Sequence, residues 1–488
     1  MAPLSFDLAA AGGRSPPPGA ARLRPRDWQR QLIQLLRARL PSADGGGADV
    51  LVHAGPGAGK TLGALLAVQR LQAEGRLGRF VVFCHRSSIA GQWRSAAERL
   101  ALDLREWPDR SGDPGGDAGL LLSYQTAGRH LERLKQEFAG LGAGAGWMAI
   151  ADEVHHLGLD PEEPEATAWG HAFTLLCAGA RLRLGLSGTP FRADNLAFCA
   201  ARRLRVEVRG VLHERIVPDL CVEPRRLIVA GDVRPLEFRF QDGWVDHGRD
   251  PLAPERERSP LSGEQREGWR ARNLRRAVRL GDRGGIALRV LVEARRGLER
   301  VRVRHPEAGG LVIARDVAHA HQIAALLGEE GDAVLLAHSG DAEAGRRLAE
   351  FRGGAADWLV SVDMCAEGFD APRIRVVAYL STKVTRSRFL QAITRAVRLD
   401  ETRMPLEPVP RFPSTVVAPA DPLLIAHART WSLSEPYLVR PRGAQETAEG
   451  AGSGRGSPSS PLRALADDAG ELIRLSGPEL PRFLRRSS

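Results

Sequence analysis

Residues 54–61 read AGPGAGKT, directly after the apolar run VLVHA and directly before a stretch carrying Leu62, Leu65, Leu66 and Leu71. That arrangement is a cradle for phosphate. Gly55, Gly57 and Gly59 let backbone N–H groups turn toward one anion, and the start of the following helix adds the positive end of its dipole. Lys60 reaches the terminal phosphates and Thr61 offers a hydroxyl to magnesium. The strict pattern has glycine where Ala54 stands. About ninety residues on, the run WMAIA ends in Asp152 and Glu153. Two carboxylates at the C-terminal end of a strand divide the work of hydrolysis: Asp152 holds magnesium through its water shell, and Glu153 orients and deprotonates the attacking water. His155 and His156 follow, but adjacent histidines point different ways and do not read as a metal pair.

The elements that must position these groups show as a rhythm. Between Val50 and Thr189, the runs VLVHA, FVVFCH, GLLLSYQ, WMAIADE and LRLGLSGT alternate with longer helical patterns. Between Gly309 and Ala420, GGLVIA, AVLLAH, WLVSVDM, VVAYLST and STVVAPA do the same. Each set predicts a parallel sheet wrapped by helices, so the fold class is α/β with two tandem units. The expected boundaries are a disordered tail over 1–20, a first domain over 21–205, and a linker with an arginine-rich helical insert over 206–308, which includes the strand RPLEFRF. A second domain over 309–425 follows, then a C-terminal extension over 426–488 whose Gly-, Ser- and Pro-rich part, 443–461, reads as a disordered linker.

With those residues in place the chain resembles the superfamily 2 helicases and DNA translocases, tandem RecA-like ATPases, and within them the branches of the type III restriction motors and excision-repair helicases. DEVHH (152–156) resembles their DExH motif II, SGTPFR (187–192) motif III, and PRDWQ (25–29) the motif that reads adenine. EGFDAP (367–372) resembles motif V and FLQAITRAVR (389–398) motif VI. The matches come in family order from Arg24 to Ala420. The resemblance implies ATP and Mg2+ as cofactors, bound in a cleft between the domains, with Gln29, Gly368 and Asp370 among the nucleotide contacts. Gln391, Arg395 and Arg398 are spaced i, i+4, i+7, which on one helix places all three on a single face toward the γ-phosphate. Family members often have glycine where Thr394 stands. Nucleic acid is implied across strand ends on the other side, at His85, Arg86, Trp93, Ser123, Tyr124, Gln125 and Arg315. No finger or recognition-helix motif supplies base readout, so backbone phosphates are the expected target.

Composition bounds the partners. The 488 residues carry a net charge of +10, yet only Lys60, Lys135 and Lys383 are lysine. Such arginine bias alone says little about function. Its distribution says more: residues 266–304 hold 13 arginines against four acidic residues. On a continuous helix Arg272, Arg275, Arg276, Arg279 and Arg283 form one stripe, with Leu274, Ala277 and Val278 turned away. Aromatic residues are 5% of the chain, few for stacking single-stranded RNA, so duplex DNA is the expected track. The five cysteines are spread widely with no C-x-x-C pair, so neither a zinc knuckle nor a disulfide framework is indicated. The N-terminus has neither a basic start nor a sustained apolar stretch, and no run of 18 apolar residues occurs; no signal peptide or membrane span is expected, and a cytoplasmic location is. The rival readings are a P-loop kinase or GTPase, which leaves motifs V and VI without a purpose, an ATP-dependent RNA helicase, and a scaffold that binds nucleotide or DNA without turnover. A nuclease would need a D…E-x-K constellation that neither Lys135 nor Lys383 provides.

Overall fold

The computed structural model describes residues 25–40, 47–85, 87–108, 118–142, 144–154, 157, 166–188, 202–208, 211–246, 258–281, 285–362, 369–399, 404–405, 407–432, 437–439 and 472–475. The chain divides into two units, Met1–Glu223 with Ser434–Gln445, and Pro224–Leu433 with Glu446–Ser488. The tail over 1–20 and the linker over 443–461 expected from the sequence lie outside the described residues, as do His155, His156 and the stretch after Gly188 in motif III.

The first unit opens with α1 (Asp27–Arg39), β1 (Ala48–Ala54), α2 (Lys60–Ala73), β2 (Arg79–Cys84), α3 (Ser87–Arg99), β3 (Leu104–Glu106) and β4 (Gly119–Ser123). It continues with α4 (Tyr124–Arg129), α5 (Leu131–Ala139), β5 (Trp147–Asp152), α6 (Ala166–Leu176), β6 (Leu182–Ser187), β7 (Arg202–Val208), β8 (Val211–Val217) and β9 (Leu220–Val222). Seven strands make one parallel sheet in the order β3-β4-β2-β5-β6-β1-β9. Helices on both faces explain why the central strands are apolar throughout rather than alternating: all six residues of β5 and five of six in β2 are buried. The register sets His53 beside Ser187 and Asp152 beside Leu186, so the cradle, motif II and motif III end at one edge of three adjacent strands. The short strand β9 pairs with the end of β1, so this sheet takes in chain well past residue 205.

The second unit contains α7 (Pro224–Ala230), β10 (Leu236–Gln241), β11 (Trp244–Asp246), β12 (Arg258–Pro260), α8 (Glu267–Ala277), α9 (Ile286–Arg302), β13 (Gly309–Ala314), α10 (Val317–Glu329) and β14 (Val334–Ala337). Then come α11 (Ala344–Arg352), β15 (Trp358–Ser361), β16 (Ile374–Leu380), α12 (Arg386–Ile393), β17 (Ser414–Pro419) and α13 (Pro422–Thr430). Two late strands return to earlier partners: β18 (Tyr437–Val439) pairs with β8 inside the first unit, and β19 (Leu472–Leu475) pairs antiparallel with β10 in the second. The second sheet runs β14-β15-β13-β16-β17-β10-β19, parallel except at β19. RPLEFRF is thus a full strand of this sheet. Gly310 faces Trp358 in register, where a Cβ would overlap the indole ring, so glycine lets that ring lie flat on the sheet.

One expectation needs correction here. Arg272, Arg275, Arg276, Arg279 and Arg283 do not share one helix, because α8 stops at Ala277 and Gly281 has φ 129°. Arg279 lies in the turn beyond, and Arg283 is outside the described residues. Among the described residues no helix is long and apolar enough to cross a membrane.

Candidate nucleotide site

The glycine-rich loop owes its shape to its own backbone and to α1. Gly57 and Gly59 have φ 76° and 79°, a region that L side chains rarely adopt. Three side chains of the segment Arg26–Gln29 donate to three successive loop carbonyls: Arg26 Nη1 to Gly57 O at 2.6 Å, Trp28 Nε1 to Ala58 O at 2.9 Å and Gln29 Nε2 to Gly59 O at 3.1 Å. With its carbonyls tied to α1, the loop cannot turn those oxygens toward a phosphate. Gln29 Oε1 accepts from the Arg26 backbone N–H at 2.9 Å, and Gln29 is 1% exposed, so its amide braces the loop from within the core. Arg26 and Trp28 are functional positions that sequence reasoning missed. Their signal was present in PRDWQ, but nothing in the sequence says that the indole and guanidinium point at the loop.

Lys60 Nζ stands 3.1 Å from Glu153 Oε1, and Glu153 Oε2 accepts from Gly188 N at 3.3 Å. Glu153 has φ 49°, a left-handed conformation for a non-glycine residue that aims its carboxylate back at the cradle. Asp152, beside it, is 6% exposed and accepts from Trp93 Nε1 at 2.8 Å, while Tyr124 Oη donates to the Asp152 backbone carbonyl at 2.8 Å. Burial and the neighbouring Glu153 push the Asp152 carboxyl up to about 6, against the pull of Lys60 and Trp93. His53, at the end of β1, is 4% exposed; burial and the Lys60 charge hold its imidazole down to about 4, so it is neutral behind the cluster. A Cβ on Gly188 would press on Lys60 Nζ. These residues fit a magnesium-bound triphosphate: a left-handed glycine loop, a half-buried lysine, a hydroxyl at Thr61 and two carboxylates in different surroundings.

The nucleic-acid residues expected in this unit fare differently. Trp93 and Tyr124 are fully buried, so neither side chain presents a surface to a polymer. The Tyr124 ring stacks on Phe83 in the core at 6.4 Å, and the polar tips of both side chains serve Asp152. His85 is 2% exposed and lies against the Trp169 ring at 5.7 Å. Ser123 caps α4, accepting from Thr126 N at 3.0 Å, and Gln125 is exposed beside it. Arg86 lies outside the described residues.

In the second unit Gln391, Arg395 and Arg398 are near one another, but not as one helical face. The helix α12 ends at Ile393, and the next turns tighten: Arg395 N bonds to Ala392 O at 3.3 Å and Ala396 N to Ile393 O at 3.2 Å. The Thr394 hydroxyl folds back onto Leu390 O at 2.6 Å. Arg395 Nη1 donates to Phe369 O at 2.8 Å and its Nε to Gln391 O at 3.1 Å, while Arg398 Nη1 pairs with Asp370 Oδ1 at 3.0 Å. Burial raises the Asp370 carboxyl, but Arg398, with Arg395 and Arg352, brings it below its ordinary value. Gly368 lies outside the described residues. Sequence reasoning also missed Arg234, fully buried, which pairs with Glu407 at 2.6 Å and donates through Nη1 to Arg398 O at 2.6 Å and Pro372 O at 3.0 Å. With its own N–H on Val397 O at 2.8 Å, it fixes the backbone at Val397 and Arg398.

Residues 22–192 match the family model described as type III restriction enzyme, res subunit, and residues 298–400 match helicase conserved C-terminal domain. The chain belongs to the superfamily 2 helicases. Both sheets are the RecA-like units of that superfamily. An uncharacterized protein of Mycobacterium leprae is 30% identical over 382 residues, 76% of this chain and 59% of that protein. One of Mycobacterium tuberculosis is 31% identical over 387 residues, again 76% and 59%, so the chain spans about 59% of the length of the curated relatives it matches. Among solved structures, S. cerevisiae Dbp5 bound to RNA and ADP BeF3 superposes with TM-score 0.51 at 14% identity, over 84% of this chain and 89% of that one. A fragment of a putative HsdR subunit of a type I restriction enzyme from Vibrio vulnificus gives 0.50 at 14% identity, over 84% and 66%.

Proposed function

We propose that this chain is an ATP-driven motor on nucleic acid, with duplex DNA as its track. The observation that carries the reading is the Lys60–Glu153 ion pair at 3.1 Å, set in a left-handed glycine loop beside the buried Asp152. A triphosphate entering the loop draws Lys60 onto its phosphates and releases Glu153 to act as base on a water. Asp152 and Thr61 would hold the Mg2+ that the triphosphate brings, and the ion would supply Lewis-acid stabilisation of charge on the transferred phosphoryl group. Gln29 serves adenine recognition through the loop it braces. Gly368, Asp370, Gln391, Arg395 and Arg398 of the second unit are the further nucleotide-binding and catalytic residues of this reading. The preference for duplex DNA rests on the match to the restriction-enzyme family model, on the arginine excess over residues 266–304 and on the scarcity of aromatics.

The test is ATP hydrolysis measured in parallel with no polymer, single-stranded DNA, duplex DNA and RNA. Strongest stimulation by duplex DNA is expected. Stimulation by RNA alone would replace the track, and absence of magnesium-dependent hydrolysis under every condition would remove the motor reading.

A further inference from the structure

The second unit contains a cavity of about 430 Å³ lined by Arg275, Arg279, Leu280, Arg315, His319 and Gln322. Its arginines come from two separated pieces of chain. The buried face of α8, Leu274 and Ala277 with Val278 just beyond, packs into the core of this unit, which leaves Arg275 and Arg279 on the opposite, exposed side. Arg315 stands between the end of β13 and the start of α10, where Asp316 caps the helix by accepting from His319 N at 2.8 Å. Asp316 also receives Arg315 Nε at 2.6 Å, which fixes the plane of that guanidinium.

His319 braces the two pieces against each other. It is 1% exposed, its Nδ1 accepts from the Arg315 backbone N–H at 3.2 Å, and its opposite edge faces the backbone of Val278 at the end of α8, without a full hydrogen bond. Burial and the Arg315 charge hold its imidazole down to about 4, so it adds no charge of its own. Three guanidiniums therefore converge on one cavity, and Asp316 is the carboxylate set against them. Among the described residues neither Arg275 nor Arg279 makes an ion pair. Like charges gathered around a cavity repel each other unless an anion shares it. Gln322 adds an amide donor, and the lining contains no aromatic surface on which a base could stack.

We propose that this cavity is a phosphate-binding site that seats a phosphodiester group of the nucleic-acid track, with Arg275, Arg279 and Arg315 as its ligands. The proposal rests on the reading of the chain as a nucleic-acid motor and says where on the second unit the track is gripped. The grip is sequence-independent, because guanidinium forks match phosphate oxygens and nothing in the lining reads a base edge. Arg272 belongs to a different arrangement: its guanidinium lies over the Trp269 ring at 5.6 Å.

The experiment is a titration of the full chain against labelled duplexes of two unrelated sequences, without nucleotide, over a series of salt concentrations. The wild type is compared with R275Q/R279Q and with R226Q/R429Q, which loses the same charge at exposed positions of the same unit outside the cavity. We expect R275Q/R279Q to bind both duplexes at least about tenfold more weakly and to flatten the salt slope by about one unit per lost contact. The R226Q/R429Q chain should stay within about twofold of wild type. Melting temperatures confirm that all three chains fold, and pyrophosphate should compete with duplex on the wild type. Equal losses in the two double variants would overturn the proposal while leaving the motor reading intact. So would pyrophosphate binding that depends on Arg275 and Arg279 while duplex affinity does not, since the cavity would then serve a free anion. A wild-type chain that binds no nucleic acid removes both readings together.

Discussion

The indole of Trp93 donates to Asp152 Oδ2 at 2.8 Å, and both residues are buried, at 0% and 6% exposure. A hydrogen bond to a charged acceptor contributes about 1.5–3 kcal/mol, and here it helps keep a carboxylate ionised that burial pushes the other way. The donor sits on α3 and the acceptor at the end of β5, so the helix and the candidate magnesium ligand move as one piece. Trp93→Phe keeps most of the ring volume and removes the donor. The expected result is an ATPase that needs roughly tenfold more Mg2+ for half-maximal rate, with a smaller loss once Mg2+ saturates. An unchanged Mg2+ titration would reduce Trp93 to a packing residue.

The Lys60–Glu153 pair gives the two obvious variants opposite effects on binding. Lys60→Ala removes the charge that meets the phosphates, so affinity for a fluorescent ATP analogue should fall at least about tenfold. Glu153→Gln frees Lys60 from its partner while removing the base; ATP should bind at least as tightly as in wild type, with turnover slower by about 10²–10⁴. Weaker ATP binding in Glu153→Gln would show that the pair does not compete with nucleotide.

Much of this was legible in the sequence because the decisive signals are local. A glycine-rich loop between a strand and a helix, and carboxylates at the end of a buried strand, are written in consecutive residues, and all ten strand runs read from periodicity form strands of the two sheets. What failed was direction. Trp93 and Tyr124 lie in stretches that resemble nucleic-acid motifs, yet an aromatic side chain turns inward whenever the core has room for it, here from the middle of α3 and the start of α4, and sequence spacing does not reveal that room. The i, i+4, i+7 spacing of Gln391, Arg395 and Arg398 was real but presupposed a helix through Thr394, where the turns tighten. Arg234 and Glu407 are 173 residues apart, and no local pattern could pair them.

Arg395 is 6% exposed and already holds Phe369 O and Gln391 O. Its truncation should therefore have two separable consequences. Arg395→Ala is expected to lower polymer-stimulated turnover by about 10²-fold or more, as loss of a charge-stabilising arginine does, with ATP affinity near that of wild type. Arg395→Lys keeps the charge and loses the fork, and should recover packing without recovering rate. Full stimulation in either variant would remove Arg395 from the hydrolytic set.

Arg234 and Glu407 form a buried pair whose members are 0% and 4% exposed. The buried Arg375 stands 3.7 Å from the same Glu407 oxygen, so removing the carboxylate leaves uncompensated charge in the core, a loss of about 3–5 kcal/mol in such cases. Arg234→Met should lower the unfolding midpoint of the second unit, and Glu407→Gln should lower it further, because it takes the carboxylate from both Arg234 and Arg375. A Glu407→Gln chain as stable as wild type would mean that the Pro372 and Arg398 carbonyls, not the carboxylate, hold Arg234.

His53 makes the first unit sensitive to acid. Its imidazole is held down to about 4 against an ordinary 6.5, first by burial and then by Lys60. Between those values the unfolded chain takes up a proton that the folded chain refuses, so the contribution of His53 is fully present above about pH 6.5 and is lost as pH falls toward 4, by up to roughly 3 kcal/mol. Asp152 works in the opposite sense: with its carboxyl raised to about 6, the folded state keeps a proton that the unfolded state has shed, and stability rises as pH falls through that range. Wild-type profiles therefore mix the two. Urea unfolding of wild type and His53→Asn from pH 7.5 down to 4.5 separates them, since only the His53 share is removed in the variant. The wild type should lose stability more steeply below pH 6.5 than His53→Asn does. Parallel profiles would mean that His53 titrates normally in the folded chain and that the neutral imidazole behind Lys60 is not maintained.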